Sequence, residues 1–272
     1  MADYIFIRKS RNALSSILHI FLNLALAIAS IGATVLTGNC LIGLVLVLVS
    51  KWRIFAVNHR YWLLNLRSSL VDFIVGISFV MIAYNATVVN NSGSTFLLIH
   101  YILMALYAIW LILIKPRSST ILTIIQALTA VFFGTTAAVL FDTVADSWLL
   151  VLLEFIIGFA ASHHVLIQGE KDDYLFISLV CGLFFAEIAW LAHAWLITYK
   201  VELPGVTTTG ICVSQLSIIL SVLAFAYFQI YNELVKNNGK LKFANVALPV
   251  IFSIAVTIVL LIGFSLPRFN IH

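Results

Sequence analysis

The sequence predicts an all-α, polytopic integral membrane protein, folded as a single transmembrane helix bundle over residues 1–272. Its composition is the first indication, because 62% of the residues are hydrophobic and only 10% are charged. A soluble domain is about 45–50% apolar and about 25% charged. The second is that apolar runs of membrane-spanning length recur along the chain. The third is that the basic residues stand at the ends of these runs.

Nine apolar runs predict about nine transmembrane helices. The first two, 14–31 and 35–51, are short for a bilayer core about 30 Å thick, and they form a tight hairpin broken between Gly32 and Asn39. The other predicted spans, in chain order, are 68–86, 96–114, 120–141, 148–168, 174–198, 210–230 and 243–265. The connecting segments are too short for a nucleotide-binding or other soluble domain, so any function must reside in the helices or at their rim.

The distribution of Lys and Arg predicts a cytoplasmic N-terminus and an external C-terminus. In this orientation thirteen of the fifteen basic residues face the cytoplasm, and only Lys200 and Arg268 lie outside. The net charge of +4 then reflects topology, and we expect no nucleic-acid partner. The expected location is the plasma (inner) membrane. One alternative stays open, since "RKSR" followed by an apolar stretch and "AIA" at 26–28 resembles a cleavable signal peptide, whose removal would leave eight spans.

The segment 51–67 predicts an amphipathic helix lying along the cytoplasmic interface. Arg53, Arg60 and Arg67 recur every seven residues, which places them on one helical face beside apolar side chains. Guanidinium groups on such a face reach the phosphates of anionic lipid headgroups. The alternative is a plain connector whose arginines only set the topology.

Two carboxylates fall deep within predicted spans, where a charge costs about 2.5–3.5 kcal/mol on insertion scales. Glu154 lies fourteen residues from the inner end of the sixth predicted helix, and Glu187 thirteen residues into the seventh. At 1.5 Å per residue both lie about 20 Å above the inner face, on antiparallel neighbours. If they face each other they cannot both ionise cheaply. The pair therefore suggests a proton or cation site, although spacing does not give the orientation about each helix axis.

Further polar residues extend this candidate site. The same depth calculation places His100, Gln215 and Thr135 close to the two carboxylates, with His193 one to two turns further out. Trp190 lies one turn from Glu187, where an indole can help to hold a cation or simply fill space. The alternative for Glu187 is a protonated acid bonded to a neighbouring helix. The predicted proton, cation or substrate site comprises Glu187, Glu154, His100, His193, Trp190 and Gln215.

No metal, cofactor or catalytic residue is predicted. Adjacent His163 and His164 point about 100° apart on a helix and so do not form a pair of metal ligands. The three cysteines match neither zinc-site nor disulfide spacing. Asp72 stands three residues after Ser69, as in a helix-capping motif, and we expect it to cap the third helix.

The functional prediction is a transporter or permease for a small molecule or ion, using intramembrane carboxylates. The alternative is a structural or accessory subunit that scaffolds a membrane-protein partner. A second alternative is an enzyme acting on a lipid-like substrate, with Glu187, His193 and His100 as acid and base. The enzyme is the less favoured, because the sequence contains no known nucleotide-enzyme, zinc-hydrolase or serine-hydrolase motif in a fitting context.

Overall fold

The protein is an all-α helical membrane bundle, as predicted. The computed structural model describes residues 13–52, 56, 59–90, 96–116, 119–142, 147–167, 173–193, 197–202, 210–237 and 239–263. Within these ranges the helices are α1 (Ala13–Thr37), α2 (Cys40–Val49), α3 (Trp62–Val89), α4 (Leu98–Ile109), α5 (Thr120–Asp142), α6 (Ser147–Leu166), α7 (Tyr174–Ala192), α8 (Gln215–Lys236) and α9 (Phe243–Gly263). Two strands, β1 (Thr198–Glu202) and β2 (Gly210–Ser214), form an antiparallel hairpin.

Seven of these nine helices are long and apolar enough to cross a membrane, namely all except α2 and α4. With 10 residues, α2 is about 15 Å long, half of a bilayer core. Helix α4 continues through a π-helical turn at Trp110–Ile114, so that the apolar helix Leu98–Ile114 measures about 25 Å. The count of nine crossings therefore stays a prediction.

The first two helices form the expected hairpin, which breaks within the predicted stretch from Gly32 to Asn39, although α1 ends six residues later than the predicted residue 31. Helix α1 continues to Thr37, and the chain reverses at Gly38, whose φ of 62° suits glycine. Asn39 then caps α2 by accepting a hydrogen bond from the Leu41 amide at 2.9 Å. The helices pack closely at Gly43, where a Cβ atom would lie 2.6 Å from the Ser30 carbonyl oxygen.

Helix α3 begins earlier than predicted. Residues 62–67, which were expected to belong to the interfacial segment 51–67, are the first turns of α3, preceded by a 3-10 turn at His59–Tyr61. Asp72 is consequently the eleventh residue of the helix, so the prediction that it caps the helix is wrong. Residues 53–55 and 57–58 lie outside the described residues.

The β hairpin lies where a helix end, a loop and the start of the next helix, at 210–214, were expected. Helix α7 does not reach residue 198, and α8 begins at Gln215 because the Ser214 hydroxyl caps it, accepting from the Ser217 amide at 2.9 Å. The strands pair from Thr198 with Ser214 to Glu202 with Gly210. Strand β2 lies against α3 and α5. The hairpin thus covers one end of the bundle, called here the hairpin end.

The opposite end of the bundle collects basic residues and is called here the basic end. Lys51 after α2 and Lys115 after α4 both reach Asp72 in α3, and the Arg67 guanidinium of α3 lies over the ring of Tyr174 at the start of α7. Successive helices therefore run in opposite directions here. This agrees with the predicted alternation of basic ends, and its assignment to the cytoplasm stays a prediction.

Candidate functional site

Glu154 is the most deeply buried of the predicted site residues. Its side chain is 0% exposed at the interface between α5 and α6. The Thr135 hydroxyl donates a hydrogen bond to Glu154 Oε2 at 3.0 Å, so the structure joins two residues that the depth calculation placed in one layer. Glu154 Oε1 is buried and has no hydrogen-bond partner in the described part of the chain. A carboxyl group in such a place is expensive to ionise.

His100 is buried as well, but it links two helices. Its Nδ1 accepts a hydrogen bond from the Leu97 amide at 3.0 Å, so Nε2 carries the proton. Nε2 lies 3.1 Å from the Thr87 hydroxyl, which in turn donates to the Ala83 carbonyl at 3.0 Å. Nδ1 thus caps the start of α4, and Nε2 joins it to the end of α3, so both ring nitrogens have a structural role.

Gln215 also connects helices. It is 4% exposed at the first position of α8, and its Nε2 donates to the Leu260 carbonyl of α9 at 2.8 Å. Its backbone amide donates to the Ile197 carbonyl at 2.8 Å, which ties the start of α8 to the residue before β1. These bonds place Gln215 at the hairpin end, between α8 and α9.

Glu187 faces away from the bundle. The buried face of α7 comprises Ser178, Gly182, Phe185, Ala186, Ala189 and Ala192. At 100° per residue, Glu187 lies about 170° around the helix from the centre of that face. It is exposed, as are His193 and Trp190, the last at 69%. Glu154 and Glu187 therefore do not face each other, and the six predicted residues do not converge on one site.

The three arginines predicted to contact lipid headgroups are only partly described. Arg53 lies outside the described residues, and so does the side chain of Arg60. The guanidinium group of Arg67 lies between helices, with Cζ 5.9 Å from the centre of the Phe159 ring and 5.5 Å from that of Tyr174. Headgroup contact by Arg53 and Arg60 stays a prediction.

A cluster of charges at the basic end, which sequence reasoning missed, joins α2, α3 and α4. Asp72 Oδ2 pairs with Lys51 Nζ and, at 2.6 Å, with Lys115 Nζ. Asp72 Oδ1 accepts a hydrogen bond from the Trp110 indole at 3.3 Å. The π turn shapes this contact, because the Lys115 amide bonds to the Trp110 carbonyl across five residues at 2.9 Å.

The cluster holds two cations and one anion in a mostly buried place. The side chain of Lys51 is 8% exposed, that of Asp72 15% and that of Lys115 38%. Burial, with a smaller contribution from the Lys115 ammonium, lowers the pKa of Lys51 to about 6. Burial also lowers the pKa of Lys115. Losing one proton leaves a single ion pair without net charge, which is the cheaper arrangement in a poorly solvated site.

The described side chains hold no group of three His, Cys, Asp or Glu residues suited to a metal ion. His164 Nε2 donates to the Gln126 side-chain oxygen at 2.7 Å, and Gln126 Nε2 donates to the Ile114 carbonyl at 2.7 Å, so this histidine connects α6 to α5 and α4.

No protein-family model, curated protein or solved structure matches this chain.

Proposed function

We propose that the protein is a small membrane permease in which Glu154 binds and releases a proton. The observation that carries this proposal is a fully buried carboxyl group with one oxygen, Oε1, lacking a partner among the described residues. An unsatisfied buried polar atom costs about 1–3 kcal/mol. A hydroxyl bond from Thr135 alone offsets little of the cost of ionisation. Such an acid lowers the stability of the fold, and groups of this kind are typically kept for a function.

An apolar cavity beside this carboxyl group indicates the class of substrate. The cavity measures about 470 Å³ and lies between α2, α3, α5 and α6, and among the described residues of its wall Ser78 has the only polar side chain. Gly134 and Leu153, which directly precede Thr135 and Glu154, line it. A change of charge at Glu154 alters the interface between α5 and α6, which also forms the cavity wall. The proposed substrate is therefore small and largely apolar.

Proton binding at Glu154 is testable without knowing the substrate. We expect infrared difference spectra of the purified protein to contain the carbonyl band of a buried protonated carboxyl group. Glu154→Gln should remove the band, whereas Glu187→Gln, which changes an exposed carboxyl group, should leave it. A spectrum unchanged by Glu154→Gln would contradict the assignment.

Transport is tested in a second assay, with both variants in proteoliposomes containing a pH-sensitive dye. Addition of small apolar compounds should drive proton movement with the wild type and Glu187→Gln, but not with Glu154→Gln. Equal proton movement with all three proteins, or with empty liposomes, would contradict the permease while leaving the spectroscopic result intact.

A second function, as an accessory subunit, is favoured by the uncovered surface of α7. Only 28% of its span is buried within this chain, and Glu187 lies amid exposed apolar side chains such as Leu183 and Trp190. A partner helix with a basic or amide side chain at the same depth would satisfy this carboxyl group. A photo-crosslinker at position 183 should capture a protein in native membranes, and one at Ile121 of α5, which is still more exposed, should not. Lipid adducts alone at both positions would contradict this function.

The enzyme alternative finds no geometric support. Its predicted acid and base residues are separated, since His100 is buried between α3 and α4 while Glu187 and His193 are exposed on α7 and at its end. General acid–base catalysis requires these groups to reach one substrate. Location in the plasma (inner) membrane stays a prediction.

A further inference from the structure

At the basic end, Arg67 of α3 lies in a cluster built by α6 and α7. The His163 ring lies 5.7 Å from that of Phe159 and 5.6 Å from that of Tyr174, centre to centre. The Arg67 guanidinium lies over the same two aromatic rings. This side chain was expected on an exposed interfacial face, and the structure instead turns it between the helices. Aromatic faces attract a guanidinium group, but they accept no strong hydrogen bonds.

Three polar atoms of this cluster are buried without a hydrogen-bond partner in the described ranges. They are Arg67 Nε, Arg67 Nη2 and His163 Nε2. A guanidinium group keeps its charge in proteins, so the two arginine N–H groups cannot avoid the cost of burial by losing a proton. Each charged N–H donor without an acceptor loses a hydrogen bond that would contribute about 1.5–3 kcal/mol to stability. The cluster therefore requires an acceptor that the described residues do not supply.

The geometry of the unsatisfied atoms specifies the acceptor. Nε and Nη2 lie on the same edge of the guanidinium plane and donate in parallel, which matches two oxygens of one carboxylate or phosphate. His163, at 4% exposure, adds a third polar atom beside the same rings. The start of α7 at Tyr174 contributes the positive end of a helix dipole. All of these features favour an oxyanion.

The described acidic residues do not compensate Arg67. Both ion pairs recorded in the described part of the chain involve Asp72, and both are made by lysines. Glu154 is bonded to Thr135. Asp173 is exposed next to Tyr174 and forms no recorded ion pair with Arg67.

We propose that Arg67 and His163 form a binding site for an oxyanion, a phosphate or carboxylate group held by the Nε and Nη2 edge of the arginine. The site is distinct from Glu154 and does not depend on proton transport. Its ligand comes from one of two sources with the same chemistry: the phosphate of a phospholipid headgroup, or a dissolved anion such as inorganic phosphate.

The dissolved source is tested with inorganic phosphate. We expect phosphate to raise the thermal unfolding temperature of the delipidated wild-type protein in a saturable manner, relative to chloride at equal ionic strength. Arg67→Lys keeps the charge but loses the paired donors, so its affinity for phosphate should be at least about tenfold weaker. Lys236→Gln, which removes an exposed basic residue at the same end, should respond like the wild type.

The lipid source is tested by native mass spectrometry of protein extracted from vesicles of phosphatidylglycerol and phosphatidylcholine. A phospholipid that the wild type and Lys236→Gln retain and Arg67→Lys loses supports the proposal, as does the phosphate response. Absence of both signals overturns it.

A third arm examines an acceptor from the chain itself. Glu170 and Asp172 follow α6 in the sequence, and Glu170→Gln with Asp172→Asn removes both carboxylates. A response to phosphate that arises only in this double variant means that a carboxylate of the same chain occupies the site, and it overturns the proposal. Because Arg67→Lys keeps the charge and most of the volume of the side chain, we expect this variant to fold.

Discussion

Removal of the Asp72 carboxylate should be among the most destabilising single changes at the basic end. In Asp72→Asn the Lys115 ammonium loses its counter-ion, and Lys51 Nζ and the Trp110 indole lose a charged hydrogen-bond partner. Loss of one member of a buried ion pair costs about 3–5 kcal/mol. Lys115 is 38% exposed, so solvent screens its share, and we expect about 3 kcal/mol.

The matched change is Lys51→Met, which removes a cation and leaves one compensated pair. At about pH 8 most Lys51 side chains are already neutral in the folded protein, given a pKa of about 6, so this variant should lose less than about 1 kcal/mol. Adding Lys51→Met to Asp72→Asn should change the stability by less than about 1 kcal/mol at this pH, because Lys51 carries little charge there.

The assay is reversible unfolding in mixed micelles of a mild detergent and dodecyl sulfate, followed by circular dichroism. The reasoning is refuted if Asp72→Asn stays within about 0.5 kcal/mol of the wild type, or if Lys51→Met costs as much as Asp72→Asn. A double variant clearly more stable than Asp72→Asn would show that Lys51 keeps its charge when the carboxylate is removed.

Three other changes test separate features. The free energy of unfolding should increase with pH between about 6 and 10.5, because in this range the unfolded chain keeps a proton on Lys51 that the folded chain releases. Lys51→Met should remove this increase. Identical pH profiles of the wild type and the variant would contradict this prediction. Gly43→Ala should cost about 1–3 kcal/mol, because its Cβ would meet the Ser30 carbonyl oxygen, whereas Gly263→Ala, with open space around it, should be neutral in the same unfolding assay. Glu187→Gln should stay within about 0.5 kcal/mol of the wild type, and a loss above about 1 kcal/mol would indicate a structural bond that the geometry does not contain.

The helices were predictable wherever an apolar run is long and clearly bounded. Helix α5 was expected at 120–141 and is Thr120–Asp142, and the starts of α7 and α9 agree with the prediction. The β hairpin was missed because β1, with Lys200 and Glu202, was interpreted as a polar loop, and because β2 (Gly210–Ser214) continues directly into the apolar start of the next helix. Short apolar runs do not by themselves distinguish strand from helix.

Depth was predictable for the candidate site, but orientation was only partly so. The rise per residue correctly placed Thr135 at the depth of Glu154, because the depth of residues on neighbouring antiparallel helices can be counted from the same end of the bundle. The small residues Gly182, Ala186 and Ala189 lie on the buried face of α7, and at 100° per residue their mean direction is about 130° from that of Glu187, a signal of its outward orientation that the depth calculation did not use. The charge cluster had no such signal, since Lys51, Asp72 and Lys115 are far apart in sequence and their pairing depends on where α2 and α4 end.

Because α4 continues through a π turn at Trp110–Ile114, the number of residues in this stretch determines the direction in which the following side chains point. Each π turn accommodates one residue more than the α-helical path, and a regular helix over the same stretch would rotate every later side chain by about 100°. Deletion of one residue between Leu111 and Ile114 should therefore convert the turn to regular helix while keeping Lys115 in register with Asp72. Insertion of one residue elsewhere in α4 would not be absorbed in this way. A related chain with a one-residue gap at this point would keep the same fold.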